Sequence, residues 1–290
     1  MSTPLSDRPA VAAEAREQLL ASSRVAERRI IAAGLSTAVL ECGEGPPVVL
    51  LHGPAELAAG WLPIVDGLAA SHRVIAPDLP GHGESQGGVD LTTTCVLRWL
   101  ADVVEETCAA PPAIVGRVVG GAIAARFAVD HPDRVSQLVL VDTLGLARFE
   151  PAPQFGAALH SFFAAPNEET YDELMSFCMY DAAAVRDRVG DGWPAFAAYV
   201  VDRVRTPGVL EAAGALIERF GAPIPEAELV RIAAPTTLIW GRHDLATPLA
   251  VAELASQRFG WPLHVVENAA DDPAFEQPEA FLDVLREVLR

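Results

Sequence analysis

Two aspartates set the chemical question. Asp244 stands in GRHDLATP at a strand end, and Asp271 opens the pair in DDP ahead of a helix. If the fold brings them together, their carboxyl groups face each other, share a proton and act as acid or base. The competing reading turns Asp271 to solvent or makes it the cap of the helix after DDP. Arg117, in the glycine turn VGRVVGG, is an anion contact or an ion-paired support of that turn. His52, before Gly53, is read as a residue that holds its loop, and His82, in a G-H-G turn, as structural. His243 with Asp271 and Asp272 has no spacing that compels a metal, and none is expected. Ser85 sits at the centre of GESQG, a literal G-x-S-x-G. That motif carries a nucleophile only between a strand and a helix. The strand before it ends near Asp78 and the next helix begins near Leu91, so Ser85 is a loop residue.

The elements that must position these groups alternate. VVLLHG, HRVIAPD, AIVGR, VSQLVLVD, TTLIWGRHD and LHVVENA are apolar runs of strand length, the mark of strands buried on both faces. Helical patterns separate them: LTTTCVLRWLADVVEET, VGGAIAARFAVDHP and the closing FEQPEAFLDVLREVLR. RRIIAA and STAVLEC form a hairpin across Gly34. Residues 9–24 read as an N-terminal helix. Strand–helix alternation predicts right-handed crossovers and a mostly parallel, twisted sheet flanked by helices. Between Asp142 and Pro235 the rhythm stops, and the chain is richer in aromatics, Met and Pro. This predicts a helical cap over 145–230, inserted into a core of 1–144 and 231–290, with 1–27 as a helical extension. Phe155, Phe162, Phe163, Phe177, Met179, Tyr180, Trp193 and Tyr199 are divided between a ligand cavity and the cap's own core.

Five segments in this order resemble the α/β-hydrolase superfamily: LLHG, APDLPGHGES, VGRVVGGAIA, LIWGRHDLATP and ENAADDPAFEQPEAF. The resemblance covers nearly the whole chain from about residue 28. It implies an oxyanion loop at 50–53, a nucleophile elbow at 116–120, an acid at Asp244 and a histidine five residues before Glu276. The sequence departs from that pattern at three places. The elbow holds Val118 where the family motif has serine, and an isopropyl group cannot attack a carbonyl. Counting back from Glu276 gives Asp271, not histidine; the last histidine, His264, is seven residues earlier. The residue after His52–Gly53 is Pro54, which has no N–H to give an oxyanion. The second donor, the N–H of Val119, remains.

Composition narrows the rest. The net charge of −18 argues against nucleic acid, and no apolar run approaches the ~20 residues of a membrane helix. The N-terminus has no apolar core after a basic start, so a cytoplasmic protein is expected. All 21 basic residues are arginine, which excludes lysine Schiff bases and lysine-bound pyridoxal phosphate; no cofactor is expected. Cys42, Cys95, Cys108 and Cys178 lack C-x-x-C spacing and read as reduced, mostly buried thiols. The ligand expected is a small apolar molecule, with His52, Pro54, Arg117, Val118, Val119 and Trp193 as binding candidates; no feature specifies an oligomeric state.

The first functional reading is a cofactor-free lyase, isomerase or cyclase using acid–base chemistry at Asp244 and Asp271. The alternatives are an inactive ligand- or partner-binding protein, and a hydrolase with another nucleophile or an activated water. Because the elbow offers nothing to acylate, a fluorophosphonate probe is expected to leave the protein unlabelled. Mass-mapped labelling of Ser85, or of any serine, would overturn the reading.

Overall fold

The computed structural model describes residues 8–21, 23–88 and 90–290. The first seven residues of the expected N-terminal extension lie outside the described residues. The elements run α1 (Arg8–Ala21), β1 (Ala26–Ala32), β2 (Leu35–Cys42), β3 (Pro47–Leu51), α2 (Leu62–Leu68), β4 (Arg73–Pro77), α3 (Thr93–Thr107), β5 (Ala113–Arg117), α4 (Val119–Asp130) and β6 (Gln137–Val141). Six helices follow before the next strand: α5 (Pro153–Ala164), α6 (Glu168–Cys178), α7 (Ala182–Val189), α8 (Gly192–Val204), α9 (Val209–Phe220) and α10 (Glu226–Leu229). The chain closes with β7 (Thr236–Gly241), α11 (Leu249–Phe259), β8 (Leu263–Val266), α12 (Pro273–Glu276) and α13 (Pro278–Val288).

The strands form one sheet in the order β1-β2-β4-β3-β5-β6-β7-β8. β1–β2 and β2–β4 pair antiparallel, and every pair from β4–β3 onward is parallel. Successive side chains of a strand face opposite sides, so each parallel strand feeds two cores. Val48, Leu50, Val139 and Val141 pack with α2 and α13, whereas Val49, Leu51, Leu138 and Leu140 pack with α3, α4 and α11. This is why these strands are apolar without alternation. The expected α/β-hydrolase architecture, a mostly parallel sheet flanked by helices, is the one observed.

Three details differ from the sequence reading. The C-terminal helix is two helices, because Gln277 precedes Pro278 and sits at φ −131°, ψ 61°; the proline ring disfavours helical geometry in the residue before it. The helices α2 and α11 also lie in stretches that the sequence reading left unassigned. The N-terminal helix ends at Ala21, and Ser23 already turns back onto Leu20 through its N–H.

The junction of β5 and α4 positions the site. Val118 has φ 49°, ψ −114°, a region costly for a β-branched residue by about 1–3 kcal/mol. Surrounding bonds hold it there. Its N–H donates to Val141 O at 3.1 Å, and its carbonyl accepts from Leu144 N and Thr143 Oγ1, each at 3.1 Å. The glycines let the backbones close in: a Cβ on Gly120 would lie 2.5 Å from Leu51 O and 2.6 Å from His52 O. Both obstacles are main chain, so neither can swing away. Gly120→Ala is therefore expected to destabilise the protein by about 1–3 kcal/mol, read as a lower denaturation midpoint in urea; an unchanged midpoint would show that the junction has slack.

Candidate active site

The carboxyl groups gather at the C-terminal ends of the parallel strands, where open α/β sheets bind ligands. Asp244 follows β7. Its Oδ1 accepts from Ala246 N at 2.7 Å and Thr247 N at 3.0 Å, and its Oδ2 accepts from Thr247 Oγ1 at 2.5 Å. Burial nevertheless pushes it up to about 6. Asp271, in the turn after β8, is 8% exposed, so it does not face solvent. Its N–H donates to Cys178 O at 3.1 Å, and its Oδ2 lies 3.9 Å from Arg117 Nη1. Its Oδ1 is buried with no hydrogen-bond partner. Burial first, then the charge of Asp244, holds the Asp271 carboxyl well above the usual carboxylate range.

Capping belongs to the next residue. Asp272 accepts from Phe275 N at 3.1 Å at the start of α12 and pairs ionically with Arg117 Nη2 at 3.2 Å; burial pushes it up to about 6. A further buried acid, Asp142, ends β6. Its Oδ1 accepts from Gly241 N at 2.9 Å, its Oδ2 has no partner, and burial with the charges of Asp244 and Asp271 raises it well above the ordinary value.

Arg117 is buried among these groups as an ion-paired support. Nη2 meets Glu56 Oε2 and Asp272, and Nη1 donates to the Asp271 carbonyl at 3.1 Å. Glu56 arrives on the loop after β3, turned by Ala55 at φ 59°. Its Oε2 also accepts from Gly53 N at 2.9 Å. The loop that the hydrolase pattern uses for an oxyanion thus carries a carboxylate in that neighbourhood, and Pro54 beside it has no N–H. His52 holds the loop as expected: Nδ1 lies 2.7 Å from Gly53 O, and Nε2 accepts from Leu79 N at 2.9 Å. His82 is buried with Nδ1 3.0 Å from Pro80 O. Ser85 is tied into its loop, donating to Asp78 O and accepting from Ala38 N. His243 stacks on Tyr180, which is 50% exposed.

A cavity of about 120 Å³ lies between these residues and the helices above. At about 10–15 Å³ per water position, that volume suits a ligand of roughly ten non-hydrogen atoms. Its polar end is Glu56, Arg117, Asp271 and Asp272, with Pro54 and Val118 beside them. Phe155, Phe163, Tyr171, Met179, Phe196 and Phe275 supply much of the apolar wall. Among the described residues, the lining includes no serine and no histidine.

Three binding candidates are placed elsewhere. His52 and Val119 are buried in the fold outside the cavity lining, and Trp193 packs on α8 among Tyr171, Phe196, Phe275 and the Arg186 guanidinium. Phe162 packs on Tyr171, and Tyr199 donates from its hydroxyl to Glu84. Helical periodicity alone does not say which flank of a cap helix meets the sheet, and that decides these positions.

A family model described as alpha/beta hydrolase fold matches residues 46–278. The chain belongs to the α/β-hydrolase fold family. A 2-hydroxy-6-oxononadienedioate/2-hydroxy-6-oxononatrienedioate hydrolase of Escherichia coli is 30% identical over 257 residues, spanning 83% of this chain and 86% of that protein. A pimeloyl-(acyl-carrier protein) methyl ester esterase of Aeromonas hydrophila is 28% identical over 260 residues, spanning 87% and 98%. Among solved structures, a 2-hydroxy-6-oxo-6-phenylhexa-2,4-dienoate hydrolase from a Rhodococcus species superposes with a TM-score of 0.80 at 26% identity, over 92% of this chain and 99% of that one.

Sequence reasoning missed Glu56 and Asp142. Glu56 carried a signal, being the one acid in the loop after HGP, but its partner Arg117 is 61 residues away. The raised carboxyl of Asp271 has a consequence for stability. A carboxyl raised by folding is a penalty that is absent below its unfolded pKa near ~4 and grows as pH rises towards the folded value. Asp271→Asn removes that penalty. The variant is expected to be more stable than the parent, with the gap widening by up to about 1.4 kcal/mol per pH unit as pH rises from the unfolded value near ~4 towards the raised folded one. Parallel stability curves across that range would show that Asp271 ionises normally.

Proposed function

We propose that the protein is a cofactor-free acid–base enzyme acting on a small apolar molecule, with Asp271 as the proton donor. The observation that carries this reading is the buried Asp271 Oδ1, on a cavity-lining residue, without a hydrogen-bond partner. Burial and Asp244 favour the protonated carboxyl. Asp271 belongs to the cavity lining, so its protonated carboxyl group is offered to a substrate oxygen. Asp244 has both oxygens engaged and is not in the lining; it acts through Asp271 as a positioning residue. The apolar wall keeps the dielectric low and strengthens that donor.

The hydrolytic chemistry of the similar proteins is not carried over. Val118 replaces the nucleophile, Asp271 replaces the base, and Glu56 with Pro54 replaces an oxyanion donor. Losses of parts that act as a unit are not repaired singly. The reaction class supported is proton transfer to and from a carbonyl compound, as in a lyase, isomerase or cyclase. The engaged Arg117–Glu56 pair favours one other reading, a protein that binds the same ligand without turning it over.

The two readings separate on solvent-deuterium incorporation next to the carbonyl of small neutral ketones, followed by NMR. Wild type is expected to exchange deuterium well above the buffer rate, and Asp271→Asn to lose this while still binding the ketone. Binding by wild type with exchange only at the buffer rate would leave the ligand-binding reading.

A further inference from the structure

The polar end of the cavity holds three carboxyl groups, Glu56, Asp271 and Asp272, and one guanidinium, Arg117. Every near partner of that guanidinium is internal: Glu56 and Asp272 on Nη2, the Asp271 carbonyl on Nη1. Three main-chain donors near it are engaged too. Gly53 N–H goes to Glu56, Asp271 N–H to Cys178 O and Phe275 N–H to Asp272, while Pro54 has none. A ligand carboxylate therefore meets acidic groups in excess and a guanidinium already paired with two of them, and like charges at this range repel strongly when desolvated. A ligand ammonium fares little better, because Glu56 Oε2 and Asp272 already accept from internal donors and a protonated Asp271 offers a donor, not an acceptor. A protonated Asp271, which is also in the lining, offers a ligand carbonyl a donor beside an aromatic wall.

We infer that the site takes an uncharged, carbonyl-bearing molecule of about the size of one substituted aromatic ring, rejects carboxylates, and owes that selectivity to Glu56. The inference rests on the reading of Asp271 as a proton donor. It separates this chain from the dioate and dienoate hydrolases it is similar to, whose named substrates are carboxylates. Glu56 works through Arg117: by pairing with the guanidinium, it withdraws the cation that would otherwise receive a carboxylate.

The test compares near-isosteric probes that differ in charge: acetophenone, benzoate and benzylammonium, titrated into the full chain at pH 7 and followed by ligand-observed NMR. Acetophenone is expected to bind at least about tenfold more tightly than either ion. Binding of benzoate or benzylammonium as tight as that of acetophenone overturns the inference. In Glu56→Gln the preference over benzoate is expected to shrink by about tenfold; an unchanged preference in the folded variant removes Glu56 from the account. If Glu56→Gln does not fold, Asp272→Asn frees the same guanidinium and is held to the same expectation. The carboxyl ¹³C signal of Asp271 keeps the two ideas apart. Tight benzoate binding with Asp271 still titrating above the ordinary range sinks the substrate class and leaves the proton donor standing, whereas ordinary titration of Asp271 sinks the donor itself.

Discussion

Arg117 is taken out of water at the end of β5, and the shape of the site follows from the cost of that burial. A desolvated guanidinium loses several kcal/mol unless it is paired and hydrogen-bonded. Its partners come from two loops far apart in the chain, Glu56 after β3 and the Asp271–Asp272 turn after β8. Meeting one buried cation fixes both loops against the elbow. Ala55 takes a positive φ to deliver Glu56, and Glu56 in turn accepts the Gly53 N–H. The cavity is bounded at its polar end by a packed ionic cluster instead of open donors.

The acids near this cation outnumber it. Asp142, Asp244 and Asp271 are buried and Asp272 is partly buried, and desolvation is the leading cause that raises each of them. Three are relieved in part by main-chain donors: Gly241 N for Asp142, Ala246 and Thr247 N for Asp244, and Phe275 N for Asp272. Asp271 receives no such bond on its side chain, and Asp244 adds to its difficulty. Burial and the charge of Asp244 both disfavour its ionised form.

The helices between β6 and β7 give this carboxyl group its setting. Phe155, Phe163, Tyr171 and Phe196 from those helices, with Phe275 from α12, form the wall that keeps water from the cluster. The N-terminal helix braces the same helices from outside, with Arg16 Nε donating to the Tyr199 hydroxyl at 3.2 Å and Tyr199 donating to Glu84 at 2.9 Å. A low dielectric is what makes one unpartnered carboxyl oxygen chemically significant.

The sequence by itself determined the sheet, the elbow and the absence of a serine nucleophile. Those are local properties: apolar runs of strand length, glycines at 116, 120 and 121, and the identity of residue 118 are readable without knowing any neighbour. It also paired Asp244 with Asp271 through the order of the motifs. Only the tertiary structure decided which aspartate caps α12, because Asp271 and Asp272 are adjacent and equally able to do so until one is drawn beneath the cap. It alone brought Glu56 to Arg117, a contact between two strand ends that no spacing encodes. It likewise left Trp193 packed among aromatic neighbours and put Phe196 in the cavity lining, although the three-residue step between them places both on one broad helix face.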